Sequence, residues 1–208
     1  MRKLDLILDR LKPINDTIPD LLPTARDRTL DSMTALHITR DGYPKLYAEN
    51  FTAGMRQIIT EQPIDNWDIT DNSNGLHLID DQTQMRIRFL KNFAFSGEIP
   101  PAGRNKARNE IWYQGSLDLG EQVSTKHPLS DVELIIVWTE IRSQFYCTAY
   151  QPLGPGKFPK GAPGRAMMVM PLGVSPSLLE AEGWRKREGD EEIVPSTNTI
   201  VIGDKIQE

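Results

Sequence analysis

Apolar residues recur along the first third of the chain at the spacing of helix faces. Residues 2–12 place Leu4, Ile7, Leu8 and Leu11 three and four apart, and Pro13 stops the pattern, which predicts a short amphipathic helix docked on a core. Pro13, Pro19 and Pro23 predict a connecting stretch. Thr24 or Asp27 then caps a second helix carrying Leu30, Met33, Leu36 and His37 on one side. Asp41-Gly42-Tyr43-Pro44 is a break. From Leu46 to about Thr60 the positions Tyr47, Phe51, Met55, Ile58 and Ile59 again step by three and four, and Pro63 ends the run.

Beyond Pro63 the period drops to two. Leu76 and Leu78, then Met85, Ile87 and Phe89, alternate with polar residues across Asp80-Asp81-Gln82-Thr83, which predicts a hairpin with one buried face. Residues 104–115 read as a helix turning Ala107, Ile111 and Trp112 inward. The apolar run Val132 to Ile141 predicts a central strand, with Phe145 to Tyr150 as its antiparallel neighbour. Leu153 to Gly164, rich in Gly and Pro, predicts a long loop. Arg165 to Leu172 reads as a further strand, Ser177 to Arg187 as a short helix capped by Ser177 facing Glu180, and Ile193 to Ile202 as an edge strand. Helices first and strands later is the α+β pattern: N-terminal helices packed on a mostly antiparallel sheet built after about residue 65. One domain over 1–208 is expected, with a helical portion at 1–62 and a mainly β portion at 63–208.

The 208 residues suit one such domain, and 38% apolar residues supply a core. An acid at position 5 and the absence of an apolar run near 18 residues argue against a signal peptide or membrane span and point to the cytoplasm. The single cysteine, Cys147, forms no internal disulfide.

Charge is distributed in blocks within the overall −5. Residues 86–108 hold Arg86, Arg88, Lys91, Arg104, Lys106 and Arg108 against Glu98 alone, and residues 142–178 hold Arg142, Lys157, Lys160 and Arg165 with no acid. If the hairpin arm and the Gly/Pro loop share one side, Arg86, Arg88, Lys91, Arg104, Lys106, Arg108, Lys157, Lys160 and Arg165 form a positive surface for a polyanion. Interleaved aromatics such as Phe89, Trp112, Tyr146 and Phe158 would allow base stacking. The plainer alternative makes Arg86 and Arg88 the solvated face of a half-buried hairpin and the aromatics core. The acids at 180, 182, 188, 190, 191 and 192 read as a solvated face or a contact for a basic partner.

Catalytic chemistry has little support. His37, His77 and His127 fall in no zinc-hydrolase pattern, Cys147 lies mid-strand, and Gly154-Pro155-Gly156-Lys157 lacks phosphate-loop spacing. No cofactor is expected. One enzyme reading remains as an alternative, a metal-dependent nuclease using Asp80 and Asp81, or Asp131, Glu133 and Glu140. A third reading is a protein-interaction module, homodimeric through the edge at Ile193–Ile202 or through the N-terminal helix.

The stretch Arg86-Ile87-Arg88-Phe89-Leu90-Lys91, then Arg108-Asn109-Glu110-Ile111-Trp112-Tyr113-Gln114, an apolar strand at Leu134–Trp138, a Tyr-containing strand and Pro171-Leu172 follow in order. Over residues 76–172 this order resembles a group of uncharacterised prokaryotic proteins encoded beside helix-turn-helix regulators in mobile or defence regions. The resemblance carries over no catalytic residue. It implies a defence, antitoxin or regulatory accessory acting with a regulatory protein or nucleic acid. Together these features predict a non-enzymatic intracellular protein that uses a basic surface to bind nucleic acid or an acidic partner.

Overall fold

The computed structural model describes residues 2–70, 75–91, 99–100, 102, 112, 126–154, 164–173, 184–186 and 193–195. Its first element is one long helix, α1 (Lys3–Ala35), with Pro13, Pro19 and Pro23 inside it. The predicted break at Pro13 and the cap at Thr24 or Asp27 are thus overturned. Each interior proline removes a backbone hydrogen bond and costs about 3 kcal/mol. Here all three sit off the buried stripe, which runs through them as Leu11, Ile14, Ile18, Leu21, Leu22 and Ala25. Burial of each large aliphatic side chain contributes roughly 1.5–3 kcal/mol, enough to hold the helix across the interruptions. Lys3, at the first turn, is itself buried and donates to both carboxylate oxygens of Asp131 at 2.8 and 3.1 Å.

The helix ends in a paired turn of backbone bonds. Ile38 N donates to Met33 O at 3.1 Å and His37 N to Thr34 O at 2.9 Å, with His37 at φ 55° in the left-handed position that glycine usually takes. His37, expected on a helix face, therefore lies beyond the helix, and Leu30 and Leu36 are exposed. Helix α2 (Pro44–Glu61) buries Tyr47, Phe51, Met55, Ile58 and Ile59, the stripe expected from sequence.

Six strands follow in spatial order β1 (Trp67–Ile69), β2 (His77–Asp80), β3 (Arg86–Lys91), β4 (Glu133–Ile141), β5 (Gln144–Gly154) and β6 (Arg165–Pro171). All neighbours are antiparallel except β3 and β4, which run parallel. The chain is α+β, with two N-terminal helices and a mostly antiparallel sheet beginning after about residue 65. Arg142 and Ser143 join β4 to β5 with φ of 49° and 64°, the paired left-handed geometry of a type I′ hairpin turn.

The sheet is covered on both faces. One face, carrying Ile87, Phe89, Leu134, Ile136, Trp138, Cys147 and Ala149, forms a single core with α1 and α2. The other, carrying Leu90, Ile135, Val137, Tyr150 and Val169, packs against Ile99, Ala102 and Trp112 from the connection between β3 and β4. Trp112 is helical and buried; the rest of the helix expected at 104–115 lies outside the described residues. The residues 155–163 of the Gly/Pro loop also lie outside them.

Strands β7 (Trp184–Lys186) and β8 (Ile193–Pro195) form a separate two-stranded antiparallel sheet. The helix expected through Arg187 is corrected accordingly, since Trp184, Arg185 and Lys186 pair with Pro195, Val194 and Ile193. Among the described residues, no helix is long and apolar enough to cross a membrane.

Candidate functional site

Alternation along β3 divides the predicted basic residues between the two faces. Arg86 and Arg88 fall in register with Glu133 and Ile135 on the face that packs against Trp112. Lys91 falls on the helix-covered face, its Nζ 4.6 Å from the Tyr47 ring centre and 5.4 Å from that of Trp138. The structure thus separates Lys91 from the two arginines. Arg104, Lys106, Arg108, Lys157 and Lys160 lie outside the described residues, and Arg165 is the first residue of β6.

Sheet register places the anchors of the two basic segments close together. A row runs from Arg88 through Ile135 and Tyr150 to Val169, and one row toward the β4 start lies Arg86. Arg165 pairs with Gly154 at that same end of the sheet. Ile99, which precedes Arg104, Lys106 and Arg108, bridges to Gly164, which follows Lys157 and Lys160; Gly164 N donates to Ile99 O at 2.9 Å. Trp112 closes over this junction and donates from Nε1 to Pro100 O at 3.2 Å. A Cβ on Gly164 would stand 3.0 Å from Trp112 Nε1 and 3.2 Å from both Gly154 O and Ile99 Cγ2, so a side chain there would need its neighbours to give by a few tenths of an ångström.

Two titratable groups report the electrostatics of this region. Burial pushes the Glu133 carboxyl above the ordinary range, and Arg88 and Arg86 pull it back. Burial first, then the nearby Arg88 and Arg56, pushes the His77 imidazole down to about 4, so it is neutral beside the arginines.

A second charged cluster occupies the opposite end of the sheet and its other face. Glu140 near the end of β4 is only 5% exposed, and its Oε2 accepts from Arg40 Nη1 at 2.6 Å and from the Tyr47 hydroxyl at 3.1 Å. Arg26 of α1 brings Nη1 to 4.0 Å from Glu140 Oε1, donates to Ser143 O at 3.3 Å and pairs with Asp27 on its outer side at 2.9 Å. The Arg40 guanidinium lies 4.5 Å from the Tyr47 ring centre, and Phe51 stacks on Trp138 at 4.0 Å beneath the cluster. Burial and the Glu140 carboxylate push the Tyr47 hydroxyl up to about 12, so it serves Glu140 as a proton donor. Burial, with Arg40 nearby, lowers the Lys91 ammonium, and Glu140 opposes this.

Sequence reasoning considered Glu140 only as a metal ligand and missed Arg26, Arg40 and Tyr47 as its partners. One signal was present for Arg26: the position continues the Leu22, Thr29, Met33 stripe of α1 and so brings a charge to the edge of a buried face.

The carboxylates considered for a nuclease do not converge. Asp80 is fully buried and its Oδ2 accepts from the Thr83 amide at 2.8 Å and from the Thr83 hydroxyl, closing the β2–β3 turn. Asp131 is held by Lys3, and Glu133 and Glu140 point to opposite faces of β4, about 23 Å apart along the strand. Among the described residues, no group of three or more His, Cys, Asp and Glu side chains is arranged to hold a metal ion. Cys147 is buried and desolvation pushes its thiol up to about 12, far from thiolate chemistry at neutral pH. Comparison of the chain with protein-family models, curated proteins and solved structures finds no match.

Proposed function

We propose that the protein is a non-enzymatic intracellular binding protein that engages nucleic acid through the Trp112 side of the sheet, at the end where Arg86 lies. Arg86, Arg88, Arg104, Lys106, Arg108, Lys157, Lys160 and Arg165 are its phosphate contacts, and Lys91 is not among them. The observation that carries this reading is the Ile99–Gly164 bridge, which ties the chain just before one basic segment to the chain just after the other. A junction that joins the start of one basic segment to the end of the other supports their acting together on a polyanion, which needs its cations gathered. The resemblance to proteins encoded beside helix-turn-helix regulators supports a role as accessory to such a regulator or to its nucleic acid.

The test is a mobility shift with generic DNA and RNA over a salt series. Wild-type binding falls steeply with salt; Lys157→Glu/Lys160→Glu weakens it and reduces the slope of log K against log salt by about 2. No binding at low salt overturns the reading. Cleavage of the probe on adding Mg²⁺ replaces it with a nuclease, and self-association that survives nuclease treatment replaces it with a protein-interaction module.

A further inference from the structure

We propose that the outward face of α1 and the turn after it dock a cationic amphipathic segment of a partner protein, a contact separate from the nucleic-acid surface. Asp9, Asp16, Asp20, Asp27 and Asp31 follow one another at steps of seven and four residues, and all of them are exposed. At about 100° per residue they fall within roughly 60° of arc, opposite the buried Leu11, Ile18 and Ala25. Lys12 pairs with Asp9 and Arg26 with Asp27, whereas Asp16, Asp20 and Asp31 form no ion pair among the described residues. Negative charge on this face thus exceeds the cations that neutralise it.

Two features go against what the helix alone would favour. Asp31 stands beside a last turn that carries no basic residue, where the negative end of the helix dipole disfavours an acid. Leu30, one turn on from Asp27, is 38% exposed, and Leu36 and Tyr43 at the same end of the helical layer are 60% and 54% exposed. Large apolar side chains left in water among polar ones mark contact surfaces for other proteins. Local rules broken with no gain inside the fold point the same way. Charge complementarity selects the occupant: Lys or Arg side chains opposite the aspartates, and apolar ones against Leu30, Leu36 and Tyr43. A second copy laid α1 against α1 would bring aspartates face to face, and nucleic acid is repelled by the same charge.

The probes are two synthetic peptides of about 18 residues and equal positive charge, one with Lys and Leu at helical spacing and one with every Leu replaced by Ser. Each is titrated into the full chain, labelled with ¹⁵N, at physiological salt, and the amide shifts give both the contact surface and the Kd. The Lys/Leu peptide moves amides of α1 from Asp16 onward and of the turn to Tyr43, and binds more tightly than the Lys/Ser peptide. Asp20→Asn/Asp31→Asn weakens binding about three- to tenfold. Asp65→Asn/Asp81→Asn, which removes the same charge from exposed positions elsewhere, leaves it unchanged. Leu30→Ser/Leu36→Ser abolishes the preference for the Lys/Leu peptide. All these positions are exposed, so the variants keep the fold. The titration uses no nucleic acid, and Asp20→Asn/Asp31→Asn keeps any mobility shift, so the two readings fail separately. Shifts confined to other elements, equal weakening by both aspartate pairs, or no preference between the peptides overturns the proposal. Self-association of the free chain that Leu30→Ser/Leu36→Ser abolishes also overturns it, in favour of a second copy.

Discussion

The Arg40 guanidinium and the Glu140 carboxylate meet at 2.6 Å, although 100 residues of chain separate them. Arg40 stands in the short connection between the helices and Glu140 near the end of the central strand, so this pair, with Tyr47 and Arg26 on the same carboxylate, ties the helical layer to that end of the sheet. A buried charge whose partner is removed keeps its desolvation cost and loses its compensation.

Arg40→Gln is therefore expected to destabilise the fold by about 2–3 kcal/mol, less than for a fully enclosed pair because Arg40 reaches solvent. Glu140→Gln costs a similar amount, and the double variant costs less than the two singles together. Chemical denaturation of the four proteins in a double-mutant cycle measures the coupling. Additive effects would mean that the pair does not join the layers.

His37 holds a left-handed conformation that glycine adopts without steric cost. His37→Gly is expected to stabilise the protein by about 0.5–1 kcal/mol despite shortening a side chain, since the residue is exposed. A rise in denaturation midpoint with an unchanged slope checks it.

The Gly164 site behaves in the opposite sense. Alanine there meets Trp112, Gly154 and Ile99 at once, so Gly164→Ala is expected to cost about 1–3 kcal/mol. It also loosens the junction of the basic segments and weakens nucleic-acid binding with all cations intact. Fluorescence of the tryptophans through the denaturation transition, paired with the mobility shift, separates the two effects.

His77 stays neutral in the folded protein down to about 4, whereas the unfolded chain takes up its proton near the ordinary 6.5. Stability from this residue is complete above pH 6.5 and is lost as the pH falls from there toward 4. After solvent screening of a half-buried ring the loss amounts to about 1–2 kcal/mol. His77→Gln should lose less stability than the wild type between pH 7 and pH 4.5 in parallel melts; equal losses would show that carboxylates alone drive the acid transition.

Helix α2 and the β2–β3 hairpin were legible in the sequence because each buries one face and its apolar period follows, and the β4–β5 pair because β4, buried on both faces, reads as an unbroken apolar run. The single helix α1 was not, because Pro13, Pro19 and Pro23 carry a strong local signal for breaks while the compensating burial of Ile14, Ile18, Leu21 and Leu22 is a tertiary effect. Strand β1 escaped notice since Trp67-Asp68-Ile69 offers a single alternation, and a Ser-x-x-Glu capping pattern masked β7. Of the candidate sites, the charge blocks were visible but their faces were not: Lys91 parts from Arg88 only once the pleat of β3 is known. The meeting of Arg26, Arg40 and Glu140 leaves no local trace, because it depends on a helix, a turn and a strand converging.

The one parallel contact in the sheet, between β3 and β4, divides the architecture by the order in which it can be assembled. Within β1 to β3 and within β4 to β6, strands consecutive in sequence are also neighbours in the sheet and pair antiparallel. The seam between them closes only after the long excursion from Lys91 to Glu133 has been brought back, at an entropic cost that local pairing does not carry. That same excursion carries Ile99 and Trp112, so the segment that separates the two parallel strands in sequence is also the one that covers the second face, and the proposed nucleic-acid surface depends on its return.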